Sequence, residues 1–420
     1  MKGLRFILLA LLVAQLNGCV NKIDFSRLGD RQNLEERRLL ITFVDRTINR
    51  NLPGNAQDNY RRHGQYSNSG WSERIAHQLA ERNQLQFVAQ WPVTELGVSC
   101  VVYEVPETLP LQQVITALQK EQDVSLVQQM HNFEVLSDTQ SVVKSYSDPY
   151  LKLQTGFQLL GIHELHKSST GKGIRIALID TGVELDHPDL KGQISHFENM
   201  APEPSDHNLA DIHGTAVAGV LSALPDNGIG IAGIAPGAEI LAFRACWPVK
   251  PGSLAAHCNS FTLALALNQA IRLDSRIINL SLSGPEDPLL QQLIDKALAK
   301  GIIVIAAVPS KDQVGGFPGS IPGVIAVGQG DGANNPEIIA PGQDILTTVP
   351  HQAYDFMTGS SFSTPHVAGV VALLLQLHSN WYTADIKRLL HNDSHLLTAN
   401  LIDVAMTAAK SKDQNYIAGP

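Results

Sequence analysis

Five stretches of this chain are almost wholly apolar: IRIALID (174–180), EILAFRA (239–245), RIINLSL (276–282), GIIVIAA (301–307) and GVIAVG (323–328). A strand with one wet face alternates apolar and polar residues. These runs do not alternate, so both of their faces must be covered, which is the condition of strands inside a parallel sheet. Between them lie helical patterns: HGTAVAGVLSAL (213–224), FTLALALNQAIRL (261–273) and DPLLQQLIDKALAK (287–300). Parallel strands need crossover connections, and helices supply them. Residues 151–412 are therefore expected to form an α/β domain, a parallel sheet with helices on both faces, before a short tail at 413–420.

The N-terminal part reads differently. LLITFVD (39–45), LQFVAQWPV (85–93), SCVVYEV (99–105) and SLVQQMHNFEVL (125–136) read as strands. SERIAHQLAERNQL (72–85) and LQQVITALQKEQ (111–122) read as helices. The order βαββαβ over 36–137 predicts a small α+β, ferredoxin-like module. Residues 138–150 are polar, carry Pro149 as a breaker, and read as a linker.

Of 420 residues, 44% are hydrophobic and 17% charged, which excludes global disorder. The formal net charge of −9, without a basic block, argues against nucleic-acid binding. Lys2 and Arg5 precede an apolar run from Phe6 to Ala14. That run is shorter than the roughly 20 apolar residues of a membrane span, and reads as an export signal over 1–18. No second run is read as long enough to span. Leu16-Asn17-Gly18-Cys19 resembles a bacterial lipobox, which implies a lipid on Cys19 and a tether over 19–35. Ordinary signal cleavage, with Cys19 incidental, is the alternative. Export implies an oxidising compartment. Cys246 and Cys258 flank a loop containing proline and glycine and can pair, worth about 3 kcal/mol in the chain-entropy model. Two free buried thiols are the other reading. Neither cysteine belongs to a CxxC pair, so no metal site is expected from them.

Three motifs carry chemistry. In GSSFSTPHVAG (359–369), Ser361 stands at the start of an apolar helical pattern, where unpaired N–H groups and partial positive charge suit a nucleophile. DTGVELDHPDL puts Asp180 at the end of a strand, where sites form in open α/β sheets. HGTAVAG opens a helix with His213. Together they resemble the aspartate, histidine and serine motifs of the subtilisin-like serine proteases, in that family's chain order. The resemblance covers about residues 145–410 and, through its order of elements, the inhibitory pro-domain at 36–135. It implies that Ser361 is the nucleophile, His213 the base and Asp180 its orienting acid. Asp186 and His187 receive structural roles. Ser281, Leu282 and Ser283 would pair with an extended substrate. Chemistry would need no cofactor. Structural calcium is implied for many relatives, although no acidic loop here names its ligands.

The chain departs from the pattern after GIIVIAA. Val308, Pro309 and Ser310 stand where the family has Ala, Gly and an oxyanion-binding Asn. Ser310 is thus the oxyanion candidate, with a water or Lys311 as the alternatives. Ser283 and Pro309 would add bulk at the substrate pocket and favour small or medium apolar side chains there. Two functions stay open. One is a lipoprotein endopeptidase of the bacterial cell envelope, acting on protein or peptide substrates and released by a cut near 140–149. Its partners would be its own pro-domain and, through Cys19, the membrane. The other is a weak or inactive homologue that binds peptides, or one whose inhibitory domain is never removed.

Overall fold

The structure is a computed structural model and describes residues 37–45, 68–135, 150–202, 209–311, 315–330, 333–391 and 394–410. The expected signal, Cys19, the tether, the 140–149 segment and the tail lie outside the described residues. The chain divides into two compact units, one containing Arg37–Val127 and the other running from Gln128 onward.

The first unit runs β1 (Arg38–Val44), α1 (Gly70–Asn83), β2 (Gln86–Val93), β3 (Val98–Glu104), α2 (Leu111–Leu118) and β4 (Val124–Gln129). Its sheet has the order β2-β3-β1-β4, with β3 antiparallel to both β1 and β2. Leu39, Ile41 and Phe43 alternate along β1 and share a core with Val101 and Tyr103 of β3, Leu79 of α1 and Leu118 of α2. A two-residue period on the strands thus meets one face of each helix. Ser69 caps α1 by accepting from the Ser72 N–H at 3.1 Å.

The second unit opens with β5 (Asn132–Val135) and continues through α3 (Thr155–Leu159), α4 (Ile162–His166), β6 (Arg175–Asp180), β7 (Ile194–Asn199) and α5 (Ile212–Ser222). Next come β8 (Glu239–Arg244), β9 (Cys246–Pro248), β10 (Ala256–Asn259), α6 (Ser260–Arg272), β11 (Ile277–Leu280), β12 (Leu282–Ser283) and α7 (Pro288–Ala299). The chain ends through β13 (Ile303–Ala307), β14 (Ile325–Gly328), β15 (Ile338–Ile339), β16 (Ile345–Val349), β17 (Ala353–Met357), α8 (Ser360–Leu377), α9 (Thr383–Leu389) and α10 (Ala399–Lys410). Seven strands form one sheet in the order β15-β14-β13-β11-β6-β8-β7, and the pairs around β6, β8, β11, β13 and β14 are all parallel. The five apolar runs supply β6, β8, β11, β13 and β14. From β6 the chain goes to the edge strand β7, returns to β8 beside β6, then crosses to β11 on the other side. The order reverses at β6, so its carboxyl end opens onto a crevice.

Two expectations need correction. α8 is 18 residues long with a mean hydropathy of 1.2, apolar enough for a membrane span by length and composition. It is instead the core helix, buried from Ser360 to Leu375. The stretch SLVQQMHNFEVL is not one strand. β4 ends at Gln129, and β5 joins a second sheet of order β12-β5-β10-β9. The break has a local cause at His131. Its N–H donates to Ser260 Oγ (3.0 Å), and its carbonyl accepts from the Ser260 N–H (3.1 Å). Backbone groups engaged with the first turn of α6 cannot continue a strand ladder.

Candidate active site

Asp180 is the last residue of β6 and is buried. Its Oδ1 accepts from the Thr181 N–H at 2.7 Å and from His213 Nδ1 at 2.7 Å. A carboxylate only accepts, so Nδ1 carries the hydrogen directed at Asp180. The ring Nε2 is buried and has no hydrogen-bond partner. The strand end and the α5 start are locked together from both sides. Asp211 caps α5 by accepting from the His213 N–H at 3.2 Å. Thr181 Oγ1 donates to Asp211 Oδ1 at 2.5 Å and accepts from the Gly214 N–H at 3.0 Å. Burial raises the Asp211 carboxyl above its ordinary range, against the pull of the Thr181 hydroxyl and the His213 N–H. The approach requires glycine. A Cβ on Gly214 would stand 2.3 Å from the Gly182 carbonyl oxygen.

Ser361 is the second residue of α8 and is fully buried. The preceding Gly359 has φ 151°, a conformation that side chains resist. Pro365 lies within the helix. It has no N–H to offer the carbonyl four residues earlier, which belongs to Ser361. Ser281 fills that gap, its Oγ donating to the Ser361 carbonyl at 2.8 Å. In return Ser361 Oγ donates to the Ser281 carbonyl at 3.0 Å. Asn279 Nδ2 donates to Ser281 Oγ at 3.0 Å and so orients it. The His213 ring lies 5.4 Å from the ring of Phe362, the residue after Ser361. The Asp180–His213 pair and the Ser361 turn thus share one corner of the fold.

The other expected residues are placed as follows. Leu282 and Ser283 form β12, which pairs antiparallel with β5 in the register Leu282↔Val135 and Ser283↔Glu134. Ser283 Oγ is buried without a partner. Ser310 follows β13, is exposed, and bridges Ala333 through its backbone. Cys246 and Cys258 are bonded to each other. His187 Nδ1 accepts from the Asp189 N–H (3.2 Å) while Nε2 donates to the Ala353 carbonyl (3.1 Å), so its ring is a neutral strut. Asp186 is exposed. The sequence reading missed Asn279, Asp211 and Thr181. A polar Asn inside the apolar run RIINLSL was the available signal for the first.

Among the described residues no three His, Cys, Asp or Glu side chains gather as a metal-binding group. The fully buried Asp189 accepts from the Asn227 amide (2.7 Å), the Ile231 N–H (2.8 Å) and the Tyr354 hydroxyl (2.9 Å).

Comparison with known proteins agrees with this geometry. Residues 171–417 match the subtilase family, peptidase S8. The chain is 33% identical over 236 residues to subtilisin of Bacillus pumilus, covering 52% of this chain and 82% of that protein. It is also 33% identical over 236 residues to subtilisin E of Bacillus subtilis strain 168, of which it spans 59%. Subtilisin Savinase of Lederbergia lenta is 32% identical over 261 residues, with 59% of this chain and 93% of that protein covered. Among solved structures, fervidolysin from Fervidobacterium pennivorans, a keratinolytic enzyme related to subtilisin, shares the fold. The TM-score is 0.66 at 20% identity, over 89% of this chain and 61% of that one. With a family match reaching from the first turn before β6 to beyond α10, the chain belongs to the subtilase family of serine endopeptidases.

Proposed function

We propose that this chain hydrolyses peptide bonds of protein substrates by acyl transfer through Ser361, His213 and Asp180. The observation that carries the reading is the His213 ring, held at Nδ1 by Asp180 at 2.7 Å with its buried Nε2 left over. The Ser361 hydroxyl turns from the Ser281 carbonyl toward Nε2, gives up its proton and attacks the scissile carbonyl carbon. His213 then passes that proton to the leaving amine, and water repeats the sequence on the acyl-enzyme. Every group is a side chain or backbone amide, so no cofactor is needed.

The oxyanion would be held by the Ser361 N–H and, as second donor, Ser310. An exposed serine after a proline is a weaker donor than a fixed amide. Subtilisin itself loses about 10²–10³ in turnover without its side-chain donor. Turnover below that of subtilisin, within this factor, is the consequence.

The chain is also read as its own first substrate. Support comes from β5, which runs antiparallel on β12 as an extended substrate would. The cut is read near residues 140–149, the polar segment ahead of the catalytic domain. The sequence further supports export to the bacterial cell envelope with a lipid on Cys19. After the cut that lipid would remain with the N-terminal part. Expression of wild type and Ser361→Ala, followed by intact-mass measurement, tests the reading. A new N-terminus near residues 140–149 in the wild type alone is expected. An uncut wild type that also resists a fluorophosphonate would favour the peptide-binding homologue.

A further inference from the structure

One wall of the peptide slot is thinly built. β10 has four residues and β9 three, and they pair only through Ala256↔Pro248, His257↔Trp247 and Cys258↔Cys246. Pro248 has no N–H to add to that ladder, and the connection is exposed from Val249 to Gly252. A hairpin of this size is marginal on its own in water. Yet the opposite edge of β10 pairs with β5 across His257↔Glu134, Cys258↔Phe133 and Asn259↔Asn132. Since β5 also pairs with β12, a substrate strand taking its place would need β10 already in position.

The Cys246–Cys258 bond sits where that position is set. Both cysteines are fully buried. Cys246 lies two residues beyond the end of β8, a strand of the parallel sheet. Cys258 immediately precedes Asn259, whose side chain caps α6 by accepting from the Thr262 N–H at 3.0 Å. The bond therefore links the peptide-facing strand to two rigid elements, the parallel sheet and a capped helix. Asp180, His213 and Ser361 stand on β6, α5 and α8, outside the hairpin.

We infer that the Cys246–Cys258 bond is a positioning element for substrate. It holds β10 as a wall of the slot, so that recognition of residues ahead of the cut depends on the bond while triad chemistry does not. This rests on the reading of β12 and β10 as the slot, and not on the chain being active. A main-chain ladder discriminates little by side chain but falls off with each lost pair. Losing the bond should therefore weaken long peptides more than short ones.

The first test uses the full-length Ser361→Ala chain, which does not cut itself. Hydrogen exchange is compared between this chain and the same chain carrying Cys246→Ala and Cys258→Ala. Exchange at 132–135, 256–259 and 282–283 should quicken by about tenfold or more, with β6, β11 and β13 unchanged. Equal acceleration across the parallel sheet, or unchanged exchange at β10, overturns the inference. The second test uses the catalytic chain with and without the bond. For peptides with four residues ahead of the cut, kcat/KM should fall by about 10- to 100-fold, mainly through KM, as an ordering cost moves into binding. A one-residue ester and the rate of fluorophosphonate labelling should hold within about twofold. A loss shared by labelling and both substrates marks a merely structural bond and overturns the inference. A wild type that never labels would count against the protease reading, while the exchange result would still decide this one.

Discussion

The two sheets of the second unit are built on opposite terms. The seven-stranded sheet is parallel, its inner strands are four to six residues of buried apolar chain, and its order is set by covalent crossovers. The four-stranded sheet is antiparallel, and its strands of two to four residues are one hairpin and two strands from other parts of the chain. Asp180 and the Ser281–Ser361 exchange lie at ends of the first sheet and of the helix buried against it. The proposed peptide pairing lies in the second. Groups that must stand within fractions of an ångström are fixed by bulk core, whereas a partner that must come and go is held by a few backbone bonds. Changes near the first should alter kcat or global stability, and changes near the second should alter KM or selectivity.

The largest effect is expected at the triad. Subtilisin loses about 2 × 10⁶ in kcat without its serine or histidine and about 3 × 10⁴ without its aspartate. Ser361→Ala and His213→Ala should fall to the same order, with Asp180→Ala less severe and KM little changed. Steady-state kinetics on one peptide would show it. A variant keeping a hundredth of wild-type kcat would detach that residue from the chemistry.

A second effect lies in the packing of α8. Burial holds the His366 imidazole down at about 4, while its Nδ1–H donates to the Phe362 carbonyl at 2.7 Å. The folded chain therefore resists a proton that the unfolded chain accepts at about 6.5. Stability from this group is complete above pH 6.5 and is lost as pH falls toward 4, up to about 3 kcal/mol at about 1.4 kcal/mol per unit. Asn at position 366 keeps a donor without the titration. Urea unfolding of His366→Asn should show a flatter pH dependence across that window than the wild type.

Ser281 joins the two regions, since it precedes β12 and serves Ser361. Removing its hydroxyl takes one hydrogen bond from the buried Ser361 carbonyl, a cost of about 1 kcal/mol. Ser281→Ala should lower kcat by about tenfold and the melting temperature by several degrees. Pro365→Ala restores an N–H to that carbonyl, so adding it to Ser281→Ala should recover part of the stability. A double variant less stable than Ser281→Ala would contradict the account of why Ser281 is needed.

The smallest effect concerns selectivity. A Cβ on Gly315 would lie 3.5 Å from Ser283 Oγ, so the hydroxyl borders the space beside that loop. Ser283→Gly should raise the preference for Phe over Ala before the cut by a few-fold, about what one or two methylenes discriminate. An unchanged ratio would move the restriction to Pro309.

The parallel sheet and the three motifs were legible because each is written in contiguous residues. Apolar runs mark strands covered on both faces, and Asp180, His213 and Ser361 each open or close such a run. β7 was not, because ISHFEN is half-buried at every residue but the exposed Ser195 and carries neither a continuous apolar signature nor a clean alternation. The split at His131 was also hidden. It depends on Ser260, far along the chain, and no glycine or proline announces it. Nor could the exchange between Ser281 and Ser361 be read, although Pro365 shows that one carbonyl of α8 needs a partner from elsewhere. Local pattern reveals elements and motif residues, while the partners supplied by distant loops come only with the fold.

The central claim is that Ser361 is a nucleophile activated by His213. Reaction of the purified chain with a fluorophosphonate, read by peptide mass spectrometry, tests it most directly. The account expects one adduct, on Ser361, in the wild type and almost none in His213→Ala. Labelling elsewhere, or equal labelling of Ser361 without His213, would contradict it.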